Sequence, residues 1–101
     1  MIARAQAADL PAIMVVERAG FRTGGWSEQS WREELDGVDR LVLVHRDEVD
    51  EIDAAATFQV VGDTADLHRV VVHPVARRRG VASGLVADGL AWATEQGARR
   101  M

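Results

Sequence analysis

The chain has 101 residues, of which 48% are hydrophobic and 28% charged, and its formal net charge is -4 at pH 7. This composition is typical of one folded domain over residues 1–101 with a modest core, and the acidic balance argues against general electrostatic binding of nucleic acid. The chain has no cysteine, no apolar run near the roughly 20 residues of a membrane span and no apolar signal segment. Disulfides, thiolate metal sites and a cysteine nucleophile are therefore excluded, and we expect a cytoplasmic location.

The N-terminal segment predicts a short strand followed by a helix. The strand covers residues 2–4, and the helix covers residues 9–20 with a proline that its first turn tolerates. Ile13 and Val16 lie at helical spacing, which predicts one buried face.

A second helix follows a glycine-containing loop. Ser27 is a good N-cap for this helix, and Gly37 ends it. Trp26 and Trp31 flank its start, where they either line a pocket for an acceptor or fasten the helix to the core. The core role is favoured, because large aromatic side chains mostly serve packing.

The hydrophobic period then changes from helix to strand. Residues 40–45, 54–61 and 67–72 are rich in apolar and β-branched side chains and predict three strands. Polar connections over residues 46–51 and 62–63 separate them. Short connections of this kind predict an antiparallel meander.

A last helix covers residues 81–96, with Gly97 as its C-cap. The predicted order is therefore β-α-α-β-β-β-α. This order predicts an α/β fold in which helices flank a mainly antiparallel sheet.

The segment before the last helix carries the strongest functional signal. Arg77, Arg78 and Arg79 precede Gly80 at the start of the helix. The first N–H groups of a helix lack partners and the helix dipole adds positive charge, so a phosphate would satisfy both. Gly80 would let that ligand approach the backbone. Charged triplets are usually solvated surface, but arginines here oppose the helix dipole, and this favours a bound anion.

These residues give the chain a resemblance to a known family. The pattern of Arg77, Gly80 and Ala82, between a β-branched strand and an amphipathic helix, resembles the acyl-CoA pyrophosphate loop of the GCN5-related N-acetyltransferase (GNAT) family. Segment 26–31 (WSEQSW) is similar to the corresponding segment in the bacterial subgroup of this family that acetylates the N-terminal alanine of a ribosomal protein. The predicted order of elements also matches the N-terminal and central parts of that fold.

The resemblance implies an N-acetyltransferase that uses acetyl-CoA as co-substrate and a protein N-terminus or small amine as acceptor. In the family, backbone groups of a central strand bind the pantetheine arm and a loop binds the pyrophosphate. The implied cofactor-binding residues are Val70, Val71, Val72, Arg77, Arg78, Arg79, Gly80, Val81, Ala82 and Ser83. We expect the valine side chains to be core residues, whose contacts to the ligand would be through the main chain.

The catalytic groups of the resembled subgroup have no match in this sequence. Those enzymes use a Glu base on a further strand and a Tyr acid, and this chain has no tyrosine. The catalytic residues stay unassigned, with Asp66, His68 or water as candidates for deprotonation of the amine. We expect His68 to face solvent, as strand histidines commonly do, and His73 to serve loop structure. No metal-ligand spacing stands out.

Two further hypotheses remain beside the enzyme. The chain could be a non-catalytic module that binds acyl-CoA or a nucleotide, or an interaction protein whose loop 77–79 contacts RNA or an acidic partner. The net charge counts against the RNA hypothesis. The resemblance stops before the C-terminal strands and helix of the family domain. Because an uncovered strand edge favours association, we expect that the chain is marginally stable, or dimerises, or is a fragment of a longer protein.

Overall fold

The computed structural model describes all residues from 1 to 101. The chain folds into four strands and three α-helices. Their bounds are β1 Ile2–Arg4, α1 Leu10–Gly20, α2 Glu28–Asp36, β2 Arg40–Arg46, β3 Ile52–Val61, β4 Thr64–Val72 and α3 Val81–Glu95. The predicted α/β class and element order are confirmed. None of the helices has the length and apolar character needed to span a bilayer.

The strands form one antiparallel sheet in the order β1-β2-β3-β4, as the meander prediction requires. The turn between β3 and β4 consists of Gly62 and Asp63, and the φ of Gly62 is 61°. Two-residue hairpins need such positive φ values, which glycine adopts at no steric cost. This tight turn lets β4 begin at Thr64 rather than at the predicted residue 67.

The central strand β3 separates two layers of the molecule. Successive side chains of a strand point to opposite faces. Ala55 therefore packs with α1 and α2, together with Val42 and Val71 of the neighbouring strands. Ala54 and Phe58 lie on the other face and pack against α3.

The helices on the first face begin where their sequences predict. α1 follows a 3₁₀ turn, and Pro11 lies in its first turn. Ser27 caps α2 by accepting a hydrogen bond from the Ser30 N–H at 3.1 Å. Gly37 ends α2, as predicted, although its φ of -72° shows that no left-handed conformation is needed there.

The helix on the second face lies close to the sheet because it carries glycines at the contact. A Cβ atom on Gly89 would lie 2.3 Å from the Phe58 ring. A Cβ atom on Gly84 would lie 3.2 Å from the terminal methyl of Ile2, which is a flexible group. Gly89 is therefore required for packing, whereas Gly84 is not.

Replacement of Gly89 by alanine should lower the free energy of unfolding by about 1–3 kcal/mol, the usual cost of overpacking a core. This loss should exceed the gain in helix propensity of up to about 1 kcal/mol. Gly84→Ala is the matched control and should be neutral or stabilising. Urea unfolding of both variants checks this, and equal stability of Gly89→Ala and the wild type would contradict the packing argument.

Candidate functional site

The arginine-rich segment joins β4 to α3 through a short 3₁₀ turn, Pro74–Ala76. His73 caps this turn, because its Nδ1 accepts a hydrogen bond from the Val75 N–H at 3.2 Å. The predicted loop role of His73 is confirmed. The N–H of Arg77 then donates to Pro74 O at 3.4 Å, which completes the turn.

The loop between this turn and α3 has backbone dihedrals of alternating hand. Arg78 has a φ of 66° and Gly80 a φ of 77°, while Arg79 between them has a negative φ. Alternation of this kind aims successive N–H groups to one side and forms a concave anion-binding nest. An added Cβ on Gly80 would meet no atom within 4 Å, so glycine is favoured there by its φ and not by crowding.

The N–H groups of residues 78–83 have no hydrogen-bond partner in the chain. The first helical bond of α3 runs from the Gly84 N–H to Gly80 O at 3.0 Å, and no side chain caps this helix. These donors lie at the positive end of the helix dipole. The loop therefore offers a row of unpaired donors suited to an anion.

The three arginines of the loop differ in their contacts. Arg77 donates from Nε to Val72 O at 3.2 Å and from Nη2 to Gly20 O at 3.4 Å, so it fastens the loop to β4 and α1. Arg78 and Arg79 are exposed and make no hydrogen bond through their side chains.

The strand that leads into the loop is the outermost strand of the sheet. Val70, Val71 and Val72 pair only with β3 on the inner side. The one backbone pairing on the outer side is a parallel bridge between Thr64 and Arg100 at the far end of β4. Val71 is buried against α1, and the other two valines pack towards α3, so the prediction of core side chains is confirmed. Their outer backbone edge is open to a further strand except at Val72 O, which accepts the Arg77 Nε hydrogen bond.

A buried carboxylate, Glu17 of α1, holds the next part of the site together. Only 1% of this residue is exposed. Its oxygens accept hydrogen bonds from Trp31 Nε1 at 2.9 Å and from the Trp26 N–H at 3.1 Å. Arg69 of β4 adds two further donors, Nε and Nη2. Burial raises the pKa of Glu17, but these hydrogen bonds outweigh it and hold the pKa below its ordinary value.

The guanidinium of Arg69 also stacks on aromatic rings of the loop between α1 and α2. Its Cζ lies 3.9 Å from the centre of the Phe21 ring and 5.3 Å from that of Trp26. Trp31 is fully buried, which confirms the core role that was favoured for it. Trp26 is half-buried and contacts Trp31 with ring centres 5.3 Å apart. The loop is thereby fixed on β4.

A second buried carboxylate, Glu34 of α2, lies beside the first. Thr57 Oγ1 donates to it at 2.7 Å and Arg40 Nη1 at 2.7 Å. His68 Nδ1 lies 2.8 Å from Glu34 Oε1. The expectation that His68 faces solvent is therefore wrong. His68 is instead held by a carboxylate of α2, which is distant from it in sequence.

These residues form one wall of an open cleft of about 660 Å³ between α2 and β4. Its lining is acidic and aromatic, and it consists of Trp26, Ser30, Glu33, Glu34, Asp66, Leu67 and His68. Asp66 and His68, which the sequence singled out for deprotonation, both lie here. The three β4 residues in its lining, Asp66, Leu67 and His68, precede the valines along the same strand.

Glu17 and Glu34 were not predicted as functional residues from the sequence, although the helical spacing of each one indicates a buried position. Glu17 lies four residues after Ile13 and Glu34 three residues after Trp31, so each falls on the buried face of its helix. A carboxylate at a buried position requires partners, since an unpaired buried charge is costly. The spacing therefore predicts buried acids, but not the residues that pair with them.

The remaining histidine lies at another edge of the molecule. His45 Nδ1 is 2.6 Å from Asp53 Oδ1, and both border a separate groove beside Arg79. No group of three or more histidine, aspartate or glutamate side chains is arranged to hold a metal ion.

Comparison with known proteins identifies the class. The family model described as the acetyltransferase (GNAT) family matches residues 6–101. This chain therefore belongs to the GNAT acetyltransferase family. Among curated proteins no sequence matches the chain.

Solved structures share its fold. The ribosomal-protein-S18-alanine N-acetyltransferase from Escherichia coli has a TM-score of 0.86 and 26% identity, and the match covers 97% of this chain but 61% of that one. A GNAT family acetyltransferase from Brucella melitensis, in complex with acetyl-CoA, has a TM-score of 0.77 and 24% identity, covering 98% and 71%. An aminoglycoside acetyltransferase from an uncultured soil metagenomic sample, in complex with sisomicin, has a TM-score of 0.79 and 20% identity, covering 99% and 73%.

Glu17→Gln should lower the free energy of unfolding at pH 7 by about 3 kcal/mol, because it leaves the Arg69 guanidinium without its buried counter-charge. The folded pKa of Glu17 is lowered, so its contribution is complete above the unfolded value of 4.5 and is lost as the pH falls through the folded value below it. The difference between wild type and variant in urea unfolding should therefore shrink from pH 7 to pH 3.

The matched control is Glu28→Gln, which removes the same charge from an exposed pair with Arg32 at 3.5 Å. It should cost less than about 1 kcal/mol at either pH. A pH-independent difference for Glu17→Gln would contradict the assigned role.

Proposed function

We propose that this chain binds acetyl-CoA along β4 and its following loop, and transfers the acetyl group to a primary amine. The observation that carries the proposal is the row of unpaired N–H groups over residues 78–83, at the end of the outermost strand. Membership of the acetyltransferase family supplies the class of reaction.

The loop would bind the pyrophosphate of the co-substrate. Backbone donors from Arg78 to Ser83, with Gly80, Val81 and Ala82 between them, supply hydrogen bonds, and the α3 dipole adds positive potential. The exposed Arg79 adds a positive charge. Arg77 acts differently from the other two, because it holds the loop on Val72 O and keeps the cradle in shape.

The open backbone edge of Val70, Val71 and Val72 would bind the pantetheine arm as an added strand. Because their side chains serve the core, only main-chain groups reach the ligand. Such contacts position the thioester without selecting its acyl group by side-chain chemistry. A backbone donor here is also suited to polarise the thioester carbonyl.

The acidic cleft beside that edge would take the acceptor. Its carboxylates attract an ammonium group, and Trp26 and Leu67 supply apolar contact for the rest of the molecule. The likeness to the S18-alanine N-acetyltransferase supports a protein N-terminus as acceptor. We therefore propose a peptide α-amine as the substrate class.

The reaction is direct transfer. The neutral amine attacks the thioester carbon, a C–N bond forms, the C–S bond breaks and its electron pair goes to sulfur. The amine loses a proton, and the departing thiolate takes one up. The chain has no tyrosine to supply that proton, and solvent reaches the open cleft.

Calorimetric titration with acetyl-CoA tests the proposal, with pantetheine as the control that lacks the pyrophosphate. Saturable binding of acetyl-CoA and at least about tenfold weaker binding of pantetheine, a difference of about 1.4 kcal/mol, are expected. Equal binding of both, or none by the folded chain, would refute the loop assignment. Binding of acetyl-CoA without acetylation of an alanine-starting peptide would favour the hypothesis of a non-catalytic module. Binding of RNA would favour the hypothesis of an interaction protein.

Gly80→Ala should weaken acetyl-CoA binding by about tenfold, since a left-handed alanine is strained by about 1–2 kcal/mol and relaxes away from the cradle conformation. Gly62→Ala is the matched control, because it places the same strain at a φ of 61° in the distant hairpin. Both variants should lose similar stability in urea, but only Gly80→Ala should lose affinity. Equal affinities would overturn the cradle.

The expectation that the chain self-associates through an uncovered strand edge stays a prediction. Sedimentation with and without acetyl-CoA measures it, and the ligand should favour the monomer if both occupy the outer edge of β4.

A further inference from the structure

His68 occupies a position that the regular pattern of the sheet would not give it. The pairing of β3 with β4 shifts between Thr57 and Phe58, so that Thr57 lies opposite Arg69 and Phe58 opposite Leu67. His68 is the extra residue of this β-bulge. Bulges disrupt the ladder locally and re-aim a side chain.

The bulge lets two consecutive residues reach the same layer of the protein. Arg69 binds Glu17 of α1 and His68 binds Glu34 of α2, and both helices cover one face of the sheet. Successive side chains of a regular strand point to opposite faces, so one of these two contacts depends on the bulge. The imidazole is therefore directed to the cleft by the backbone.

The hydrogen bond to Glu34 defines which nitrogen of the His68 ring carries the proton. An ionised carboxylate only accepts hydrogen bonds, and Glu34 already receives Arg40 and Thr57. Nδ1 must therefore donate to Oε1 across the 2.8 Å contact. In the neutral ring Nε2 is then the unprotonated nitrogen, and it makes no hydrogen bond in the chain.

We propose that Nε2 of His68 is the general base of the acetyl transfer, and that Glu34 is its positioning residue; this step rests on the proposed function. The side chain of Glu34 is 8% exposed and that of His68 26%, so a buried carboxylate orients a partly exposed imidazole in the wall of the cleft. His68 lies two residues before Val70 on β4, next to the edge proposed for the thioester.

Nε2 accepts one proton from the bound ammonium, and the lone pair of the resulting amine forms the C–N bond. The C–S bond breaks and its electrons go to sulfur, which takes up the second amine proton through solvent. The imidazolium then releases its proton to solvent, so acetyl transfer yields the amide, the thiol and one proton.

Charged groups around the imidazole favour this role. Glu33 and Glu34 approach from α2 and Asp66 from β4, and all three line the cleft. The cations nearby, Arg40 of β2 and Arg69 of β4, are each held by a buried carboxylate. The negative charge of the cleft therefore attracts the ammonium of the acceptor towards the imidazole.

The tautomer can be measured on the wild-type chain without any turnover. Long-range ¹H–¹⁵N correlation NMR at pH 8 should show His68 protonated on Nδ1 and bare on Nε2. A proton on Nε2 would overturn the proposal, since that nitrogen could then not accept one.

The kinetic test uses acetyl-CoA and an alanine-starting peptide across pH 5.5–9. His68→Gln should lower kcat by at least about 100-fold, a typical share for general base catalysis, and remove the acid limb of the profile. The KM for acetyl-CoA should change less than twofold. Glu34→Gln should lower kcat less and alter the pH profile, and Glu28→Gln, on the exposed face of the same helix, should match the wild type.

The outcomes separate this inference from the proposed function. An active wild type whose His68→Gln variant, folded by circular dichroism, keeps its rate and profile overturns the role of His68 alone. A wild type that binds acetyl-CoA but acetylates no amine overturns both. Loss of kcat and of the acid limb with an unchanged KM for acetyl-CoA supports both.

Discussion

Two buried carboxylates organise the side of the sheet on which the cleft lies. Glu17 binds Arg69 and the two tryptophans, and Glu34 binds Arg40, Thr57 and His68. Each acid joins a helix to strands that are distant in sequence. Because a buried charge is tolerated only with its partners in place, these networks require one relative position of helices and sheet. The apolar core alone would allow small shifts, since hydrophobic contacts have no preferred direction.

The parts of the candidate site follow one another along β4 and the loop that continues it. The first half of β4 contains the bulge and borders the acidic cleft, and the second half has an open outer edge that leads into the loop of unpaired donors. An anion, an extended arm and an amine would thus meet three successive parts of one backbone segment. The loop presents main-chain N–H groups, which favour an anion, whereas the cleft presents carboxylates, which favour a cation.

The sequence predicted those features that depend on local pattern. The strands, the caps at Ser27 and Gly37 and the glycine at position 80 each have a short-range signature, and they lie where expected except that β3 and β4 begin two and three residues earlier. The pairing of His68 with Glu34 could not be predicted, because these residues lie 34 positions apart and meet only after α2 packs on the sheet. The bulge was also beyond prediction, since no glycine or other local signal marks it. Buried acids on helix faces were visible, but their partners were not.

The phase of the side chains after the bulge makes β4 less tolerant of insertions and deletions than other parts of the chain. Removing or adding one residue in the regular part of β4 after His68 would move every following side chain to the opposite face, so valines would leave the core and the loop would begin out of phase. The turn between β2 and β3 is exposed and polar and has no such phase to keep. Length variation among related chains should therefore collect in that turn, whereas β4 should vary in residue type but keep its length.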